Sequence, residues 1–176
     1  MIKGAKVYVG CGPDERDGFI GCDLRPLPNV AIACPAWDLS KHAEDLTEIY
    51  SRHMLEHLTL AEVDCTLRDW HKALAPGAVV HIVVPNIDFH IEQWQRAEWT
   101  EEAFAVSRSD ARYGHAGFYG WQRECSPRAK DYSPSYWDVH KTAFNVQNMT
   151  FFLERTGFSE IQIRLYGAHL DARAVA

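Results

Sequence analysis

Residues 6–12 read KVYVGCG, a short β-prone run that closes on Gly10 and Gly12. Branched and aromatic residues bounded by glycine are the local signature of a strand. Small residues just past a strand also let main chain come close to a ligand at the mouth of an open sheet. Two similar runs follow: FIGCD at residues 19–23, ending on an acid, and Val30–Ala33, leading into CPAWDL. A weaker fourth strand is expected over residues 48–51, just ahead of RHMLEH at residues 52–57. A G-x-G-x-x-G dinucleotide fingerprint needs glycine where Glu15 stands and an acid about 20 residues on. Here Asp23 arrives much sooner, and so few residues separate the first two strands that any helix between them must be vestigial.

Thr59 and Glu62 form a T-x-x-E capping box, after which Val63, Leu67, Trp70 and Leu74 recur at helical spacing until Ala75-Pro76-Gly77. That helix delivers AVVHIVV, residues 78–84, a nearly unbroken apolar run of the kind found in a central parallel strand covered on both faces. Asn145 is placed to cap a helix over residues 146–156, stopped by Gly157, before FSEIQIRL supplies an alternating strand. Strands alternating with helices imply an α/β sheet. Residues 89–138 differ in composition. They hold about half of the aromatic side chains, among them Trp94, Trp99, Phe118, Tyr119, Trp121, Tyr136 and Trp137, with glycines at 114, 117 and 120, and read as an insertion.

Composition narrows the function classes. A chain of 176 residues is one domain by length, and 47% hydrophobic with 24% charged residues is a globular balance. Neither a membrane span nor a signal peptide is expected, because no apolar run approaches about 18 residues and MIKGAKVYVGCG leads straight into a strand. Cys11, Cys22, Cys34, Cys65 and Cys125 are odd in number and never spaced as CxxC, which suits a reducing cytoplasm. Eighteen basic against 24 acidic residues give a net charge of -6. Arg96, Arg108, Arg112, Arg123, Arg128 and Lys130 are interspersed with acids, so no nucleic-acid partner is expected.

Several residues carry candidate chemistry. Asp23, ending the second strand, is placed to accept hydrogen bonds from two ribose hydroxyls, since a carboxylate offers acceptors only. Asp38 in AWDL is placed to accept from an adenine amino group, with Trp37 or Leu39 as an apolar wall. The letters His53, Glu56 and His57 match H-x-x-E-H, the helix signature of inverted zinc peptidases, but a third ligand is not visible, so no metal is expected. His81 reads as a satisfied core histidine, His140 as a loop residue near the cleft, and Asn86 and Asp88 as loop caps or acceptor-binding groups.

The pieces VYVGCG, GFIGCDLRP, WDL, IYSRHMLEHL, LAPGAVVHIVVPN and FFLERTGF, in this order over residues 6–89 and 144–165, resemble class I S-adenosylmethionine-dependent methyltransferases of the type 11 group. The resemblance implies a Rossmann-like sheet, mostly parallel with a C-terminal antiparallel strand and helices on both faces, plus a shortened first helix. It implies that Gly10, Cys11 and Gly12 cradle the methionine part of S-adenosylmethionine, that Asp23 and Leu24 hold the ribose, and that Asp38 and Leu39 meet the adenine. Ser51 and His53 would line the same cleft. His53 or His57 would serve as catalytic base toward an oxygen or nitrogen nucleophile of a small-molecule or sugar-type acceptor, with S-adenosylhomocysteine as product. Pro13 departs from a donor-rich loop by removing one amide. The insertion, residues 89–138 after the fifth strand, is expected to act as a lid, or else to form a self-packed subdomain or a homodimer contact. A non-catalytic module that binds the cofactor or a partner is the alternative; an NAD-dependent oxidoreductase and a zinc hydrolase stand further off.

Overall fold

The computed structural model describes residues 1–123, 127, 128, 130 and 138–176. Tyr136 and Trp137 of the insertion, and Cys125, lie outside the described residues. The chain runs β1 (Ile2–Lys3), β2 (Lys6–Val9), β3 (Ile20–Asp23), β4 (Val30–Ala33), a 3-10 segment (Ala36–Lys41), β5 (Ala43–Glu44) and β6 (Leu46–Arg52). It continues through a 3-10 turn (Leu55–His57), α1 (Leu60–Ala73), β7 (Leu74–Pro85), α2 (Ile87–Arg96), α3 (Glu101–Ala105), α4 (Asp110–Tyr119), α5 (Val146–Arg155), β8 (Ser159–Tyr166) and β9 (His169–Val175).

Seven strands pair in the order β4-β3-β2-β6-β7-β9-β8, while β1 and β5 form a small separate pair. Parallel pairing from β4 through to β7 and the reversed β9 give the mostly parallel α/β sheet with a C-terminal antiparallel strand. β7 is central, parallel to β6 and antiparallel to β9. The order reverses between β2 and β6, which makes the carboxyl ends of these strands the topological switch point where open sheets take ligands.

Period-two alternation sorts the sheet into two faces. Val7, Val9, Ile49, Val80, Ile82, Leu170 and Ala172 join one buried cluster with Val63, Leu67 and Trp70 of α1 and Met149 and Leu153 of α5. Trp70 is fully buried and donates its indole N–H to the carbonyl of Ala36 at 2.9 Å, which pins the 3-10 segment to α1. The capping box at Thr59 forms as the spacing predicts: Glu62 N donates to Thr59 Oγ1 at 3.3 Å and Thr59 N to Glu62 Oε2 at 2.8 Å.

Helices surround the sheet unevenly. Where both faces are expected to carry them, α1 and α5 lie on the face just described and α2 to α4 follow from the carboxyl end of β7. On the other face the register aligns Tyr8, Tyr50, His81 and Arg173 in one row. Phe19 and Arg16 of the 10–19 connection cover its centre, with the Arg16 guanidinium 4.0 Å from the Tyr50 ring centroid. The connections 10–19 and 24–29 contain no helix, because each is too short to carry one back over the sheet. Burial pushes the Tyr8 hydroxyl up to about 12. His81 is half satisfied: Nε2 meets Asp171 at 3.1 Å, and Nδ1 has no hydrogen-bond partner among the described residues.

In the insertion, α2 packs on α4 through small residues. Gly114 lies against the Trp94 main chain, and a Cβ at Gly117 would overlap the His90 ring. Helix α2, which leads into this region, starts at Ile87 directly after Asn86.

Candidate functional site

Gly10 and Gly12 follow β2 with φ of +70° and +55°, a left-handed conformation that side chains resist. Gly10 and Cys11 both donate to the carbonyl of Cys22, which holds the loop against β3. A Cβ on Gly10 would run into the Met54 side chain. Gly12 N donates to Asp23 Oδ2 at 2.8 Å, and the Asn29 side chain donates to Gly12 O at 2.9 Å. Asp23 is 8% exposed and also accepts at Oδ1 from Arg25 N at 2.9 Å and Arg25 Nε at 3.1 Å. Burial works to raise its pKa, but the bonds from Arg25 and Gly12 hold it below the usual carboxylate value. An ionised carboxylate with two oxygens has about four acceptor positions, so these three donors leave room for a ribose hydroxyl.

The other residues expected at the cofactor are placed as follows. Cys11 is buried beside Tyr8, Tyr50 and Val83. Leu24 is 48% exposed. Asp38 sits in the 3-10 segment, half-exposed and paired with Lys41 at 2.7 Å. Leu39 is fully buried in the core, so only its main chain can reach a base. Ser51, the last residue but one of β6, pairs with Val9, and its buried hydroxyl has no hydrogen-bond partner among the described residues. This unpartnered hydroxyl at the switch point, beside a glycine loop tied to an ionised acid, fits an adenosyl ligand with a polar tail.

The letters H-x-x-E-H do not open a helix here. β6 ends at Arg52, His53 adopts φ +51°, and a single 3-10 turn spans Leu55–His57 before α1 starts at Leu60. His53 and His57 therefore do not share the helical face that the inverted peptidase motif requires. His53 Nδ1 instead meets Glu56 Oε1 at 3.2 Å. Glu56 is 1% exposed. Burial opposes its charge, yet the His53 hydrogen bond and the neighbouring imidazoles hold its pKa below the usual range. The ionised carboxylate accepts from Nδ1–H, which leaves Nε2 of His53 as the basic atom. A non-glycine residue at positive φ costs roughly 1–3 kcal/mol, and such strain gathers at functional sites.

Residues 139–144 return beside this turn: Lys141 N and Thr142 N both donate to Glu56 O, and Thr142 Oγ1 donates to Leu58 O. The return sets the His140 ring edge-on to His57, with centroids 5.0 Å apart. From β9, His169 packs edge-on against His53 at the same separation. Burial lowers the pKa of both His140 and His169, which keeps these imidazoles neutral. Asp88 is exposed in the first turn of α2 and accepts from the Asn145 side chain at 3.3 Å. Arg25, Met54 and His169 join the site without having been anticipated. Of these only Arg25 carries a signal, two residues after Asp23 in CDLR.

No family model and no curated protein matches the sequence. Solved structures do match the fold. A possible exported protein from Bordetella parapertussis is similar with a TM-score of 0.59 at 14% identity, over 99% of this chain and 62% of that one, so this chain spans less than two thirds of it. A SAM-dependent methyltransferase from Archaeoglobus fulgidus aligns with a TM-score of 0.58 at 15% identity, over 99% of this chain and 88% of that one. A 1,6-didemethyltoxoflavin-N1-methyltransferase from Burkholderia thailandensis, solved with S-adenosylhomocysteine, gives 0.58 at 15% identity, over 99% and 71%. The chain thus has the fold of class I S-adenosylmethionine-dependent methyltransferases.

Proposed function

We propose that this protein transfers the methyl group of S-adenosylmethionine to an oxygen or nitrogen nucleophile of a small-molecule acceptor. The observation that carries the reading is the bond from Gly12 N to Asp23 Oδ2, which ties a glycine loop to an ionised acid at the switch point of a methyltransferase-type sheet. In this reading Gly10 to Gly12 border the methionine part, and Asp23 takes the ribose. Asp38 lies toward the base, with Ser51 and His53 deeper in the cleft. The sulfonium supplies an already activated methyl group. The chain's own task is to align the acceptor with that group, and orientation of this kind is worth up to about 7–11 kcal/mol. His53, held by Glu56, is the candidate to take a hydroxyl proton at Nε2. His57 is engaged with the Val139 carbonyl at 3.2 Å and is the second candidate. The region from α2 to α4 exposes Trp94, Trp99, Phe104 and Tyr119, in keeping with a lid or a contact between two copies.

The side chains of Met54 and Arg25 lie against Gly10 and Gly12. They favour a second reading, in which the cleft binds the nucleoside or a partner without turnover. Incubation with methyl-labelled S-adenosylmethionine and a panel of hydroxylated and aminated small molecules separates the two. Label transferred to at least one acceptor supports the enzyme; tight nucleoside binding with no transfer to any acceptor supports the module.

A further inference from the structure

We propose that Glu56, His57 and His140 form a binding site for a borderline divalent cation of the zinc type. One ligating atom from each lies within 4.8 Å of the others. Bonds of about 2.0–2.2 Å to a tetrahedral ion require ligands roughly 3.4 Å apart, so modest side-chain rotation closes the set.

The state of each donor supports this. His57 Nδ1 lies 3.2 Å from Val139 O, and His140 Nδ1 lies 3.0 Å from Gly117 O. A carbonyl only accepts, so both rings carry their proton on Nδ1 and keep a lone pair on Nε2. That arrangement is how metal-bound histidines are oriented, the second nitrogen donating to a carbonyl or carboxylate. Glu56 divides its oxygens: Oε1 accepts from His53, and Oε2 is buried with no hydrogen-bond partner among the described residues. A buried carboxylate oxygen left without a partner costs free energy, and a cation would satisfy it.

Position also suits an ion. The carboxylate is at the base of the group while both rings are partly exposed, so an ion would have access and would keep a side open to water or an acceptor oxygen. Two imidazoles and one carboxylate with open positions suit first-row divalent ions rather than calcium or magnesium. His53 is not part of this set. The site therefore differs from the H-x-x-E-H arrangement that the letters suggest, and its third ligand comes from a segment 83 positions downstream of His57.

Titrating Co2+ alone into the purified protein tests the proposal, read by visible d–d absorption and by calorimetry, with Zn2+ as competitor. Saturation at one equivalent, displacement by Zn2+, and loss of more than about 10-fold in affinity in both His140→Ala and His57→Ala are expected. Glu56→Gln, which keeps the shape and removes the charge, should weaken binding likewise. His42→Ala, at an exposed imidazole on the 3-10 segment's end, should bind as the parent does. Circular dichroism confirms that each variant is folded. No saturable binding to the parent protein, or binding unchanged in folded His140→Ala and His57→Ala, overturns the proposal. Calorimetry with S-adenosylhomocysteine, run in parallel, keeps this result distinct from that on nucleoside binding.

Discussion

Gly12 donates its amide hydrogen to Asp23 across the carboxyl ends of β2 and β3, and the 2.8 Å bond is buried. One acid thus fixes the glycine loop and stays ionised for a ligand. Because its folded pKa lies below the ordinary 3.8, Asp23 contributes stability that is present above 3.8 and lost as pH falls through the folded value. Urea unfolding between about pH 5 and pH 2 should show the parent losing more stability than Asp23→Asn. Parallel losses in the two proteins would contradict this role.

Gly117 stands where α4 meets the His90 ring on α2. Gly117→Ala should therefore part the two helices at a cost of about 1–3 kcal/mol, the usual penalty of overpacking. Trp94 packs edge-on against Phe118 across the same contact, so its fluorescence should change alongside the unfolding midpoint. An unaltered midpoint and emission would mean that the helices are not joined there.

His90 is buried between these helices, and its folded pKa lies below 6.5, first through burial. A histidine that resists protonation in the folded state leaves stability intact above 6.5 and removes it as pH falls through the folded value. Once corrected for the slower intrinsic exchange at lower pH, amide hydrogen exchange in α2 should accelerate on going from pH 7 to about pH 5, more than exchange in α1. Equal acceleration in both helices would assign the acid sensitivity elsewhere.

If His53 removes the acceptor's proton, His53→Ala should lower kcat by about 100-fold to 10,000-fold on a hydroxyl acceptor while binding of S-adenosylhomocysteine changes little. The pH dependence of kcat/KM should lose its acidic limb in the variant. Retained turnover with an unchanged pH profile would remove His53 from the chemistry.

Much of the frame is local and therefore readable in one dimension. Thr59 with Glu62 starts α1, and AVVHIVV gives the buried strand β7, because capping and periodicity act over a few residues. The short 10–19 connection also announces the missing first helix. Other features depend on partners distant in sequence. β9 reads HLDARAV, whose inward Leu170, Ala172 and Ala174 have weak strand preference, and pairing with β7 and β8 decides its conformation. Nothing near His57 marks His140 as its neighbour, and no pattern foretells the positive φ that turns His53 away from a helix. Leu39 follows Asp38 in the motif, yet the 3-10 segment rotates its side chain into the core beneath α1.

The central claim is that the carboxyl edge around Gly10, Gly12 and Asp23 binds the adenosyl group of the methyl donor. Isothermal titration of S-adenosylhomocysteine into the parent protein and into folded Asp23→Ala tests it most directly. Saturable one-to-one binding to the parent, weakened by about 10-fold or more in the variant, is the predicted result. No binding to the parent, or equal affinity in both proteins, would contradict the account.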